Sequence, residues 1–254
     1  MAQMRLKGRT AIVTGGAKRI GRAIALALGG EGANVVVHDH QSLHGECEKL
    51  CDELEGLGVK SWVISADFEE PADYESLVGR AGDAAGRLDI LVNNASVFSP
   101  DTLADAGFGE AVRQLQVNAW VPLVLSREFA RRAGKGQILN VLDTRIAGFD
   151  FRHLSYIASK QALYLFTKMA AVEFAPRIAV NAVAPGLILP PRGKDMAYLE
   201  GLAKTVPLAR HGNPGDVTDA ALFLLKSDYI TGQVVFVDGG RHLMEYHDGQ
   251  NPHH

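Results

Sequence analysis

The sequence predicts a single α/β domain, doubly wound, with a parallel sheet of about seven strands and helices on both faces. Three observations carry that prediction. Short apolar runs rich in Val and Ile recur along the chain, longer segments with three-and-four apolar spacing separate them, and the runs lack polar alternation. A strand without alternation is buried on both faces, as in a parallel sheet whose crossover helices pack back on it. In order, AIVTG leads into a helix after Arg19, ANVVVH into one around Cys47, and SWVISAD into one around Leu77. LDILVNN precedes a helix around Leu115, GQILNVLD one around Leu163, IAVNAVAP one around Ala221, and QVVFVDGG closes the series. Gly, Asn, Asp or Pro bounds each run.

At 254 residues and 47% hydrophobic content the chain suits one compact domain, here 1–244, followed by a polar tail at 245–254 that is frayed or contacts a partner. A formal charge of -3 gives no electrostatic footprint for nucleic acid or an anionic membrane. No stretch approaches the roughly 20 apolar residues of a membrane span, and a cytoplasmic protein is expected. Cys47 and Cys51 read as reduced thiols on adjacent turns. With His44 they could share a helix face, but no fourth metal ligand is evident, so no metal is expected. The widest irregular region runs from Gly186 to about Met196, within a loop of about 186–200 that is either a substrate lid or a solvated connection.

The first strand enters Thr14, Gly15, Gly16, Ala17, Lys18, Arg19, Ile20 and Gly21, then the first helix. Strand, Gly-rich turn and helix N-terminus in that order form the phosphate-binding corner of a Rossmann-type dinucleotide fold, where backbone amides and the helix dipole meet a pyrophosphate. Asp67 ends the third strand, placed to accept from an adenine amino group or to cap a helix. Asn93, Asn94 and Ala95 end the fourth strand beside the same crevice, or shape a turn there.

TGGAKRIG, NNAS, Asn118, Tyr156-x-x-x-Lys160, VNAVAPG and VDGG match, in that order and over nearly the whole chain, the short-chain dehydrogenase/reductase family, which the chain therefore resembles. Apart from the family, residues four apart share a helix face, so the Lys160 ammonium can favour the Tyr156 phenolate and bring it toward neutrality. The resemblance implies that Tyr156 transfers the proton, Lys160 also holds the nicotinamide ribose, and Asn118 supports a water-linked proton relay. It places the cofactor against Gly15, Ile20, Asn94, Ala95, Pro185 and Gly186 as well. Leu189 stands where the family has a Thr facing the pyrophosphate.

Asp143 falls where the family's serine is usual, about a dozen residues before Tyr156. An ionised carboxylate accepts hydrogen bonds and donates none, which suits a substrate with amino or ring NH groups better than a ketone. Thr144 taking over the serine's task is the alternative. Arg19 replaces a usual Gly, and Phe98 could stack on a flat heteroaromatic ring or simply pack in the core. Together with TGGAKRIG and DGGRHL these features resemble the pteridine reductase branch, including dihydromonapterin and dihydrofolate reductases. That resemblance implies that Arg19 faces phosphates and substrate, Ser96 and Phe98 line the pterin site, and Asp143 with Tyr156 serves ring protonation.

At the end of the second strand, Asp39 would bind a ribose diol and argues for NAD(H). Lys18, Arg19 and the corner His40, Gln41, Ser42 argue for the 2'-phosphate of NADP(H), which is the preferred assignment. The leading expectation is an NADPH-dependent reductase of a pterin or similar ring, with a carbonyl reductase or alcohol dehydrogenase as runner-up. A non-catalytic dinucleotide sensor is the third reading, disfavoured because it has no need of a proton relay. The family also implies a homotetramer built partly on the helix bearing Tyr156.

Overall fold

The computed structural model describes residues 6–40, 44–148, 150–191 and 193–244. Gln41 and Ser42, and the tail at 245–254, lie outside the described residues. Seven strands form one parallel sheet: β1 (Thr10–Val13), β2 (Asn34–Asp39), β3 (Ser61–Ser65), β4 (Ile90–Asn93), β5 (Gly136–Val141), β6 (Ile178–Pro185) and β7 (Val234–Val237). Their order is β3-β2-β1-β4-β5-β6-β7, every pairing parallel. Strand progression reverses between β1 and β4, and the crevice outside the carboxyl ends there is where such sheets take ligands.

The helices are α1 (Arg19–Gly30), α2 (His44–Gly56), α3 (Pro71–Ala85), α4 (Phe108–Leu115), α5 (Val121–Arg132), α6 (Leu154–Glu173), α7 (Met196–Ala203) and α8 (Pro214–Leu225). Adjacent strand residues serve opposite layers: Ala11, Val13, Val35 and Val37 join the core with α1, α2 and α8, while Ile12 and Val36 join the one with α3 and α5. Both faces are buried, so the strand runs need no polar alternation. Among the described residues no helix is long and apolar enough to cross a membrane.

The expectation of one helix around Leu115 is corrected. α4 passes through a π-helical turn, Gln116–Trp120, into α5, with the Val121 N–H bonded to the Gln116 carbonyl. The apolar spacing runs through all three segments, which hides the division. The predicted loop at 186–200 is also shorter than expected, because α7 starts inside it. Asp195 caps that helix by accepting from the Tyr198 N–H, and Leu199 and Ala203 are buried beneath it.

Candidate active site

The Gly-rich turn is tied down from several sides. Gly15 has φ 60, a left-handed conformation that suits glycine, and a Cβ there would press on Ala95 Cα at 3.0 Å. A Cβ on Gly21 would meet the Gly15 carbonyl at 2.2 Å and Asn94 Nδ2 at 2.4 Å. Asn94 Nδ2 donates to the Thr14 and Gly15 carbonyls, and the Asn94 and Ala95 N–H groups donate to Thr14 Oγ1. Asn94 and Ala95 therefore fix the turn against β4. Asn93 belongs to β4 itself, where its amide donates to Asn140 and Ser126. The cradle is closed to side chains and opens on the N–H groups of the first turn of α1, which lack intrahelical partners. Its shape fits a pyrophosphate.

His38, which the sequence presents merely as a strand residue, anchors the same turn. Gly15 N–H donates to His38 Nδ1 at 3.1 Å and Gly16 N–H to the His38 carbonyl. Because Nδ1 accepts, Nε2 carries the proton and donates to the Ala66 carbonyl at 3.1 Å. The ring stacks on Phe68 at 4.3 Å, and burial lowers its pKa to about 4.

The cations are both engaged. Lys18 pairs with Glu46 at 3.0 Å, and Arg19, at φ 53, donates to the Pro190 carbonyl at 2.9 Å. Arg19 thus bridges the turn and the segment after β6. Ile20 packs against the core, and Gly186, which follows Pro185, lies so close to Asp238 that a Cβ would meet its Cβ at 2.6 Å. His40 Nε2 lies 3.5 Å from Asp67 Oδ2, while Asp67 Oδ1 accepts from the Glu69 N–H. Asp39 is 1% exposed and lies under α2, where its charge, after burial, helps push the Cys47 thiol up to about 12. Its carboxylate is not presented at the surface.

At the opposite end, Tyr156 donates its phenolic proton to Asp143 Oδ2 at 3.1 Å. Asp143 Oδ1 accepts from the Arg145 N–H and caps a 3-10 turn, Thr144–Ala147. The alternative that Thr144 replaces the serine is overturned: Thr144 is buried and its hydroxyl donates to Asp238. Lys160 is buried, with Nζ donating to the Val141 carbonyl at 2.9 Å and lying 5.7 Å from the Tyr156 ring centroid. Burial lowers its pKa to about 8, Asp143 acting against that. Burial and the Asp143 charge push the Tyr156 phenol well above its ordinary value. The expected lowering of the phenol by Lys160 is thus reversed, because the phenol is buried and the Asp143 carboxylate touches its hydroxyl.

Asn118, in the π-helical turn, spends its side chain on structure. Oδ1 accepts from Ser96 Oγ at 3.0 Å and from Val97 N–H at 2.8 Å, while Nδ2 donates to the Val97 carbonyl and Ser159 Oγ. It joins the β4 loop to α6 and sets Ser96, whose hydroxyl also reaches Tyr156. Phe98 is 43% exposed, not core, and meets Tyr156 edge-on at 4.7 Å.

Sequence reasoning passed over three neighbours. His153 stacks on Phe98 at 4.5 Å, and Arg145 Cζ lies 5.5 Å from the same ring. Asp150 joins them, its Oδ2 lying 2.9 Å from Arg145 Nε and 2.8 Å from His153 Nδ1. Burial works against its ionisation, yet His153 and Arg145 hold the carboxyl down at about 2. Sequence spacing carried no signal for them, because Arg145 lies in the 3-10 turn that Asp143 caps and reaches Asp150 and His153 only through the fold.

A family model described as enoyl-(acyl carrier protein) reductase matches residues 15–242. A short-chain type dehydrogenase/reductase of Picea abies is 36% identical over 253 residues, covering 93% of each chain. The crystal structure of FolM alternative dihydrofolate reductase 1 from Brucella canis, complexed with NADP, superposes with a TM-score of 0.88 at 32% identity, over 98% of each chain. Its counterpart from Brucella suis, also with NADP, gives 0.90 at 31%, over 98% of this chain and 99% of the other.

Proposed function

This chain belongs to the short-chain dehydrogenase/reductase family of oxidoreductases, and from that premise we propose that it is an NADPH-dependent reductase of a pterin or similar flat, nitrogen-rich ring. One observation carries the reading: a carboxylate, Asp143, holds the Tyr156 hydroxyl where a serine hydroxyl is usual, while Thr144 is turned away. The likeness to NADP-bound dihydrofolate reductases supports it.

NADPH supplies the hydride when bound. When bound, it would be held at the 2'-phosphate by Lys18, Arg19 and His40 with Gln41 and Ser42, at the pyrophosphate by the turn and Ile20, and at its adenosine half by Asp67, Asn94 and Ala95. Pro185 and Gly186 would border the nicotinamide end, and Lys160 would hold the adjoining ribose. The burial of Asp39 favours NADP(H) over NAD(H), since the acid stays clear of a 2'-phosphate. Tyr156, kept protonated by its surroundings, is in the form that donates a proton to a ring nitrogen. Asp143 accepts from the ring's amino or NH groups, and a phenolate beside it is unfavourable, which draws a proton back onto Tyr156 from water. Ser96, Phe98 and Arg19 border the substrate. A single catalytic domain spans 1–244, and a homotetramer packs partly on α6, whose Leu165, Met169 and Val172 are exposed.

NADPH and NADH oxidation against dihydropterins, dihydrofolate and simple diketones tests the reading. Turnover of the diketones alone favours instead a carbonyl reductase, for which the Ser96 hydroxyl near Tyr156 is the supporting feature.

A further inference from the structure

Asp143, Thr144 and Arg145, which follow β5 and Leu142, alternate in direction. Asp143 turns toward Tyr156, Thr144 turns away to Asp238, and Arg145 returns to the side of Asp143, with NH1 4.0 Å from Asp143 Oδ2. The guanidinium lies over Phe98, and the Arg145 side chain keeps 17% exposure. Asp150, whose side chain is fully buried, holds Nε in an ion pair at 2.9 Å, which tethers the guanidinium beside Phe98. Asp150 fixes His153 in the same way, and His153 backs Phe98. An acceptor, Asp143 on Tyr156, and a multiple donor, Arg145 over Phe98, thus stand side by side.

We propose that Arg145 is a specificity-determining residue of the substrate site, its guanidinium binding an acceptor oxygen of the substrate while Asp143 accepts from the substrate's amino or NH groups. The proposal rests on the reading of the substrate as a nitrogen-rich ring. It explains why the carboxylate at 143 and the cation at 145 occur together: a ring with a donor edge beside a carbonyl needs both signs. The acceptor oxygen is either a ring oxo group or a carboxylate on a side chain of the substrate.

Wild type, Arg145→Met and Arg145→Lys are compared with NADPH for KM and kcat on a 2-amino-4-oxo dihydropterin and on dihydrofolate. Inhibition by a 2,4-diaminopteridine, which lacks the ring oxo group, is measured alongside, with NADPH binding and thermal midpoint as fold controls. Loss of a charge-assisted bond raises KM by about tenfold to a hundredfold. A rise for both substrates with unchanged diamino inhibition identifies the ring oxo group, and a rise for dihydrofolate alone identifies the side-chain carboxylate. Arg145→Lys recovers part of either loss, and if Arg145→Met does not fold, Arg145→Lys alone is read by the same pattern with a smaller rise. Parallel weakening of both substrates and the inhibitor, or no change in any, overturns the proposal. If wild type takes none of the three ligands, it is the ring-reductase reading that fails.

Discussion

Thr144 hydrogen-bonds the Asp238 carboxylate at the end of β7, and that bond removes the hydroxyl next to Asp143 from the substrate site. Asp238 also accepts from the Gly240 and His242 N–H groups, so the bond clips the turn after β5 to the C-terminal 3-10 turn, Arg241–Leu243. Thr144→Val removes a donor from a buried carboxylate and should cost about 1.5–3 kcal/mol in urea denaturation, whereas Thr144→Ser should not. Equal stability of the Val variant and wild type would show that the clip contributes nothing.

Asp143→Ser should act with opposite signs on the two substrate classes. A developing alkoxide needs donors and is repelled by a carboxylate, so diketone reduction should hold or improve. A dihydropterin loses its acceptor, and kcat/KM should fall by roughly tenfold or more. Parallel loss of both activities in the purified variant would make Asp143 structural.

Tyr156→Phe should leave NADPH binding, followed by fluorescence titration, nearly intact while cutting turnover by about two orders of magnitude or more. Full turnover in this variant would remove Tyr156 as the proton donor.

Lys18→Ala and Arg19→Ala should each raise KM for NADPH much more than for NADH, by about tenfold or more for a lost charged bond. Because Glu46 already pairs with Lys18, Glu46→Gln should lower KM for NADPH. Equal effects on both cofactors would assign these cations to the pyrophosphate or the substrate.

His38 links stability to pH. Its pKa falls from 6.5 to about 4 on folding, so the unfolded chain binds the extra proton first. The stability it provides is complete above 6.5 and is lost as pH drops through that window toward 4, because a protonated Nδ1 can no longer accept from Gly15. Urea midpoints at about pH 7 and about pH 4.5, above the titration range of Asp150, should differ more in wild type than in His38→Gln. Identical pH dependence in the two proteins would mean that the ring does not titrate as the buried geometry requires.

The sequence by itself determined the strands, their parallel order of succession with helices, the position of the Gly-rich turn, and the pairing of Tyr156 with Lys160. These depend on local periodicity: both faces of the sheet are buried, and one helix turn separates the pair. It also showed that a carboxylate stands at position 143. Tertiary structure decided what those side chains do. The partner of Thr144 lies 94 residues away, Arg145 and His153 meet at the buried Asp150 and at the Phe98 ring, and Asp39 is hidden by a helix packed over it. The direction of the Tyr156 shift likewise depends on burial and on Asp143, which stands 13 residues earlier on another element. Side-chain direction on a turn, and the water excluded around a charge, are set by neighbours remote in sequence, and no spacing rule contains them.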